Sequence, residues 1–245
     1  MSGRPVALVS GAASNIGLAV ARSFSTSHSV VMADQKDPAP AAVTIGPQAV
    51  PVRGNVADPD DCARWVATAE AFGPLKAVVH CAGITQAGVK IADLSLADWE
   101  RVLRVNLTGS FVLMKAAYAA LQRAAPSSAV LVSSRAGKTG FAGIGQNLAA
   151  AKAHYSASKA GVNSLVKSLA LEWARDGVRV NGIAPGPIEG TMIPRERWEE
   201  VATSVPLGRL GKPDDIAAAA AFLCSDSAGF ITGHILDVNG GTLMD

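Results

Sequence analysis

Apolar residues along the chain gather in short runs, separated by longer stretches in which they recur every three or four positions. The short runs are rich in Val and Ala and bounded by Ser, Asp, Gly or Pro: Val6–Ser10, Ser29–Asp34, Ala49–Arg53, Leu75–His80, 129–133 and 178–183, with a last one near 234–238. Runs this short and this continuously apolar predict strands covered on both faces. The intervening stretches 16–27, Pro59–Phe72, 96–124, 153–176 and 214–225 carry helical periodicity. Strand and helix in strict alternation predict an α/β protein: a doubly wound parallel sheet of about seven strands with helices on both faces. The segment 35–48 stands where a further helix belongs, but Pro38, Pro40 and Pro47 reduce it to a loop or a stunted helix. No linker, repeat or low-complexity segment divides residues 1–245, so a single domain is expected. The Ala-rich stretch 153–176 has long apolar residues on only part of its surface, enough for core packing or for contact with another subunit.

Composition excludes several classes. With 49% apolar and 17% charged residues the chain can bury a large core, which intrinsic disorder cannot. A net charge of +2 without a basic run argues against nucleic acid as partner. Cys62, Cys81 and Cys224 are far apart, with neither C-x-x-C spacing nor a histidine cluster, so buried thiols are expected rather than disulfides or metal ligands. The run 6–9 is too short for a leader core, and 216–224 is less than half a membrane span, so a cytoplasmic chain without membrane attachment is expected.

The first strand runs into Ser10-Gly-Ala-Ala-Ser-Asn-Ile-Gly17, and a helix follows. Glycines in such a turn let backbone approach a pyrophosphate, which the helix N-terminus attracts through free N–H groups and its dipole. Asp34 closes the second strand, where a carboxylate can accept both ribose hydroxyls and would repel a 2′-phosphate; the bland alternative is a strand-end cap. Tyr155-Ser-Ala-Ser-Lys159 sets a phenol and an ammonium one helical turn apart on one face. A phenol ionises near 10, so service as a base at neutral pH requires a shift of about 3 units, roughly 4 kcal/mol, which nearby cations can supply.

These segments resemble the short-chain dehydrogenase/reductase family, nearly end to end. The Gly11…Gly17 loop, Cys81-Ala-Gly83, Asn106 in Val-Asn-Leu-Thr-Gly109, Ser133-Ser-Arg-Ala-Gly137, Tyr155-x-x-x-Lys159, Val180-Asn-Gly-Ile-Ala-Pro-Gly-Pro-Ile188 and the C-terminal Pro206–Pro213 and Phe230…Gly241 segments fall in the family's order. The resemblance implies a Rossmann-like fold, a homotetramer and an enzyme acting on CH–OH donors. It implies Tyr155 as general acid/base and Lys159 as the cation that lowers the Tyr155 pKa and holds the nicotinamide ribose. Ser134, in preference to Ser133, would hydrogen-bond the reacting oxygen, and Asn106 would bend its helix and hold a water that relays protons to Lys159. A dinucleotide would meet Gly11, Ser14, Asn15, Ile16 and Gly17 at its phosphates. Asp34, Asn55 and Val56 would meet its adenosine, and Cys81, Ala82 and Gly83 the ribose. Pro185, Gly186, Ile188 and Thr191 would surround the carboxamide.

The chain also departs from the family. Asn15 replaces a loop glycine, and its side chain must point away from the pyrophosphate or bond to it. His80-Cys81 replaces a paired Asn, which is expected to remove a side-chain brace between neighbouring strands. Asn55 stands where an acid often meets the adenine amino group. Ser134 and Tyr155 are 21 residues apart, longer than the common pattern, and the extra residues in 140–154 are expected to wall the substrate pocket. Thr191 comes one residue late. His154 is expected to be packed or solvated rather than catalytic, and Trp65, Trp99 and Trp173 to be packed, while Trp198 lies in 192–205, where relatives carry a lid. Arg135 suits either solvent or an anionic substrate.

The expectation is thus an oxidoreductase that interconverts a secondary alcohol and a ketone with NAD(H) and a small-molecule substrate, without a metal. An NADPH-dependent 3-oxoacyl-carrier-protein reductase is the alternative, disfavoured because Ser14 and Asp34 are not basic. A dinucleotide-binding protein without chemistry ranks below both. A serine hydrolase is disfavoured by the lack of any G-x-S-x-G elbow.

Overall fold

The computed structural model describes residues 3–140 and 152–244. Its strands are β1 (Val6–Ser10), β2 (Ser29–Asp34), β3 (Ala49–Arg53), β4 (Leu75–His80), β5 (Ser127–Val132), β6 (Val178–Pro185) and β7 (Ile235–Val238). They form one parallel sheet in the order β3-β2-β1-β4-β5-β6-β7. The chain winds outward from β1 to β3, then crosses back to start β4 beside β1. That reversal opens a crevice at the carboxyl ends of β1 and β4, where ligands of such sheets sit.

The strand period of two sorts the core. Val6 and Leu8 of β1 face one side with Val31, Val78 and Leu131, while Ala7 and Val9 face the other with Met32, Val79 and Val130. The first side is covered by α3 (Pro59–Phe72), α5 (Gly109–Arg123) and α7 (Ala153–Trp173), through Trp65, Leu113 and Val162. The second is covered by α1 (Asn15–Phe24), α2 (Ala39–Val43) and α9 (Pro213–Cys224), through Val20, Ala42 and Ala217. Covering both faces explains why β1 reads as an unbroken apolar run. Asp58 starts α3 by accepting from the Asp60 and Asp61 N–H groups. Among the described residues no helix is long and apolar enough to cross a membrane.

The stretch 35–48 holds the stunted helix, α2, 5 residues long with Pro38 at its cap, and one segment differs from expectation. The stretch 96–124 is not one α-helix: α4 (Leu96–Leu103) and α5 are joined by a π turn over Arg104–Thr108, with Asn106 at its centre. Two further short helices, α6 (Ala136–Thr139) and α8 (Trp198–Ala202), follow β5 and β6. Around α8, Ile193, Val201 and Leu210 form a small third core, and the Trp198 indole N–H donates to the Ile193 carbonyl at 3.0 Å.

Candidate active site

The crevice is a cavity of about 440 Å³ along the carboxyl ends of the central strands. Its first wall is the loop after β1. Gly11 has φ +71°, and a Cβ there would stand 2.8 Å from the Ala82 nitrogen, so only glycine lets the loop lie against the end of β4. At Gly17 a Cβ would stand 2.1 Å from the Gly11 carbonyl oxygen, which brings the first turn of α1 directly onto the loop. Ser14, at the N-cap, makes no side-chain hydrogen bond to that turn. The first N–H groups of α1 are thus left without a side-chain cap, and Ser14, Asn15, Ile16 and Gly17 line the cavity, an arrangement suited to an anion. Asn15 holds φ 48°, and its amide lies over Gly190, where a Cβ would stand 2.1 Å from Nδ2. The Asn15 side chain is thus turned across the crevice toward the segment after β6.

Asp34 ends β2 in the same wall. Its Oδ2 accepts from the Ala13 N–H at 3.0 Å and its Oδ1 from the Lys36 N–H at 2.9 Å. The strand-end anchor is real, and each oxygen keeps a lone pair for a ribose hydroxyl. Asn55 Oδ1 already accepts from the Ala57 N–H at 3.0 Å, leaving one lone pair, and Val56 lies buried beside it. Cys81, Ala82 and Gly83 follow β4; burial pushes the Cys81 thiol up to about 12, so it remains protonated. Pro185, Gly186, Ile188 and Thr191 line the opposite wall.

The missing brace is a correction. His80 pairs in register with Ser10 across β1 and β4, and its Nδ1 lies 2.7 Å from the Ser10 hydroxyl. Ser10 Oγ also accepts from the Ala82 N–H at 3.3 Å, so one hydroxyl joins the ends of both strands. The imidazole supplies the strand-to-strand link that the sequence reading gave up. Burial, and then the Lys159 charge, pushes its pKa down to about 3, so the ring is neutral.

At the far end, α7 presents Tyr155 and Lys159 to the cavity. Lys159 is buried, and its Nζ donates to the Val132 carbonyl, at the end of β5, at 2.8 Å. Desolvation pulls it down to about 8. Nζ stands 5.9 Å from the Tyr155 ring centre. Burial raises the Tyr155 phenol above its ordinary value, while the Ser134 hydroxyl, hydrogen-bonded to it, pulls the other way. In the chain alone the direction is therefore upward, opposite to that implied by the resemblance, because desolvation outweighs the Ser134 hydrogen bond.

The two serines point differently: Ser133 Oγ donates to the Lys159 carbonyl at 3.0 Å, and Ser134 is hydrogen-bonded to the phenol. Gly137 makes this possible, since a Cβ there would stand 2.6 Å from the Lys159 backbone carbon.

Asn106 does not line the cavity. Its Oδ1 accepts from the Ile84 N–H at 2.8 Å, and its Nδ2 donates to the Ile84 carbonyl and to Ser158 Oγ, each at 3.0 Å. A Cβ on Gly83 would stand 3.4 Å from both Asn106 Oδ1 and Lys159 Nζ, so bare glycine leaves a polar-walled gap between them.

Sequence reasoning missed Lys36, Thr85 and Lys152, which also line the cavity. Lys152 lies three residues before Tyr155, and helical periodicity could have marked it. Trp65 is buried in the core as expected, though its edge reaches the lining. His154 is buried and burial lowers its pKa, in keeping with packing. Residues 141–151, most of the expected substrate wall, lie outside the described residues.

Known proteins resemble this chain over nearly its whole length. The family profile described as enoyl-(acyl carrier protein) reductase matches residues 11–242. The chain is 38% identical to cis-4-hydroxycyclohexanecarboxylate dehydrogenase of Sinomonas cyclohexanicum, with 96% of this chain and 95% of that one covered. It is 33% identical to 3-oxoacyl-[acyl-carrier-protein] reductase of Synechocystis, with 98% and 97% covered. The crystal structure of a short-chain dehydrogenase/reductase, glucose/ribitol dehydrogenase, from Brucella melitensis superposes with a TM-score of 0.87 at 36% identity, covering 99% of this chain and 98% of that one.

Proposed function

The chain belongs to the short-chain dehydrogenase/reductase family, enzymes that act on hydroxyl and ketone groups with NAD(P)(H), and from that premise we propose that it interconverts a secondary alcohol and a ketone with NAD(H). The observation that carries this reading is the meeting of Ser134, Tyr155 and buried Lys159 in one cavity with the glycine loop and Asp34. The cradle fits a dinucleotide: Gly11 and Gly17 leave room where a Cβ would collide, and the first turn of α1 offers free N–H groups. Gly11 and Ser14–Gly17 would hold the pyrophosphate, and Asp34, Asn55 and Val56 the adenosine. Cys81–Gly83, Lys159 and the wall from Pro185 to Thr191 would hold the nicotinamide half.

When bound, the nicotinamide ring supplies hydride exchange at its C4 carbon. Tyr155 then takes the hydroxyl proton of the alcohol, or returns it to the ketone oxygen, while Ser134 Oγ donates a hydrogen bond to that oxygen. Because burial holds the phenol up, Tyr155 is an acid in the chain alone, and a second positive charge beside Lys159 is needed to make it a base. Lys159 relays the proton onward through a water in the gap beside Gly83, with Asn106 on its far side. Asn106 is a positioning residue: its side chain ties the π turn to the segment after β4.

Asp34 supports NAD(H), since its carboxylate would repel the 2′-phosphate that NADP(H) carries. Lys36 in the same wall favours NADP(H), the second reading. Calorimetry with NADH and NADPH separates them, and tighter NADPH binding would overturn the first. Tyr155→Phe should abolish oxidation of a panel of secondary alcohols while nucleotide affinity stays within about threefold. Retained turnover would overturn the mechanism.

A further inference from the structure

Two cations at the reactive end have no part in that chemistry: Arg135, which reaches the Thr242 carbonyl at 3.5 Å, and Lys152. Lys152 stands at the N-terminus of α7, one turn before Tyr155 and on its face of the helix, and it lines the same cavity. It is half-buried, and its Nζ donates to a neutral partner, the Thr85 hydroxyl, at 3.2 Å. Among the described residues no carboxylate pairs with it, and burial alone shifts it, downward. Asp34 is the one acid in the described lining, and it belongs to the β2 end beside Lys36, with β1 and β4 between it and the end of β5. Residues 141–151, which precede Lys152, include no ionisable side chain. A lysine partly withdrawn from water, beside the reacting atoms and without a counter-charge, calls for an anion from outside the chain.

We propose that Lys152 anchors a carboxylate of the substrate, so that the chain acts on hydroxy and oxo acids. With one N–H on Thr85, the ammonium keeps two for the two oxygens of a carboxylate. A spacing of one helical turn, roughly 5 Å, sets that carboxylate a few bonds from the carbon at Tyr155. This assignment rests on the alcohol–ketone reading above and names its substrate class.

The test titrates three probes, 3-hydroxybutanoate, its methyl ester and 2-hydroxypropyl phosphate, onto the chain with and without NADH, under which an alcohol cannot react. The carboxylate is expected to bind at least tenfold tighter than the ester. Lys152→Met should remove that preference, Lys152→Arg should restore part of it, and NADH affinity should be the same in all three proteins. Equal binding of acid and ester, no binding of the acid, or full retention of the preference in Lys152→Met would each overturn the proposal. Tighter binding of the phosphate ester would overturn it in favour of a phosphorylated substrate. Oxidation of neutral alcohols, lost in Tyr155→Phe, reports separately on the reading beneath it. If that oxidation is lost while acid and ester bind alike, the carboxylate anchor alone has failed.

Discussion

His80 and Ser10 meet across the two central strands, Nδ1 to Oγ at 2.7 Å, at the foot of the glycine loop that follows β1. The link is neutral, because burial holds the imidazole near 3 where an unfolded histidine ionises near 6.5. As pH falls from about 6.5 toward 3 the unfolded chain takes a proton that the folded chain refuses, so stability declines over that window.

The first prediction follows from this link. His80→Asn should lessen the acid sensitivity, by up to about 4 kcal/mol of the difference between pH 6.5 and pH 3.5. His80→Ala should lose about 1–3 kcal/mol at pH 7 by stranding the Ser10 hydroxyl. Urea melts at both pH values measure each variant, and an unchanged acid limb in His80→Asn would contradict the assignment.

Asn15 holds a left-handed conformation that glycine adopts without strain, and its amide covers Gly190 rather than the α1 cradle. Asn15→Gly should therefore leave stability within about 1 kcal/mol. Dinucleotide affinity should hold or improve. A tenfold loss by calorimetry would make the amide a ligand in its own right.

Lys159 is charged and buried, its pKa held near 8 against an ordinary 10.5. Between those values the unfolded chain binds more protons, so stability rises with pH through that window; below 8 the buried charge costs up to about 3 kcal/mol. Lys159→Met should end turnover and yet raise stability at pH 7 by about 1–3 kcal/mol. The gain should shrink by pH 9.5. A variant less stable than the parent at pH 7 would refute this.

The gap beside Gly83 gives a fourth expectation. Gly83→Ala would put a methyl 3.4 Å from both Asn106 Oδ1 and Lys159 Nζ, close enough to exclude a water. Turnover should fall about 10- to 100-fold, with nucleotide affinity within about threefold. Stopped-flow turnover and calorimetry on the same preparation decide it.

The alternation of apolar runs made the sheet legible, because strands buried on both faces leave a composition signal that needs no partner to be read. The glycine loop and the Tyr155–Lys159 spacing were legible for a similar reason: each is a local pattern. The His80 brace was not, since a pair made across strands depends on register, and Ser10 opposite His80 cannot be inferred from either residue alone. The direction of the Tyr155 shift depends on how deeply the phenol is enclosed, which is a property of packing. Asp34 showed both of its faces only in three dimensions, where its oxygens hold Ala13 and Lys36 and still look into the cavity.

The π turn over Arg104–Thr108 amounts to one residue more than an α-helix would use to join α4 to α5. Deleting a single residue there would let the two helices merge into one regular rod, with better backbone geometry. It would also rotate one helix against the other by about 100°. Asn106 would swing away from Ile84 and Ser158 and take the floor of the gap with it. A shorter, locally more comfortable helix is thus within reach of one codon, and the reactive end of the crevice is what that shortening would dismantle.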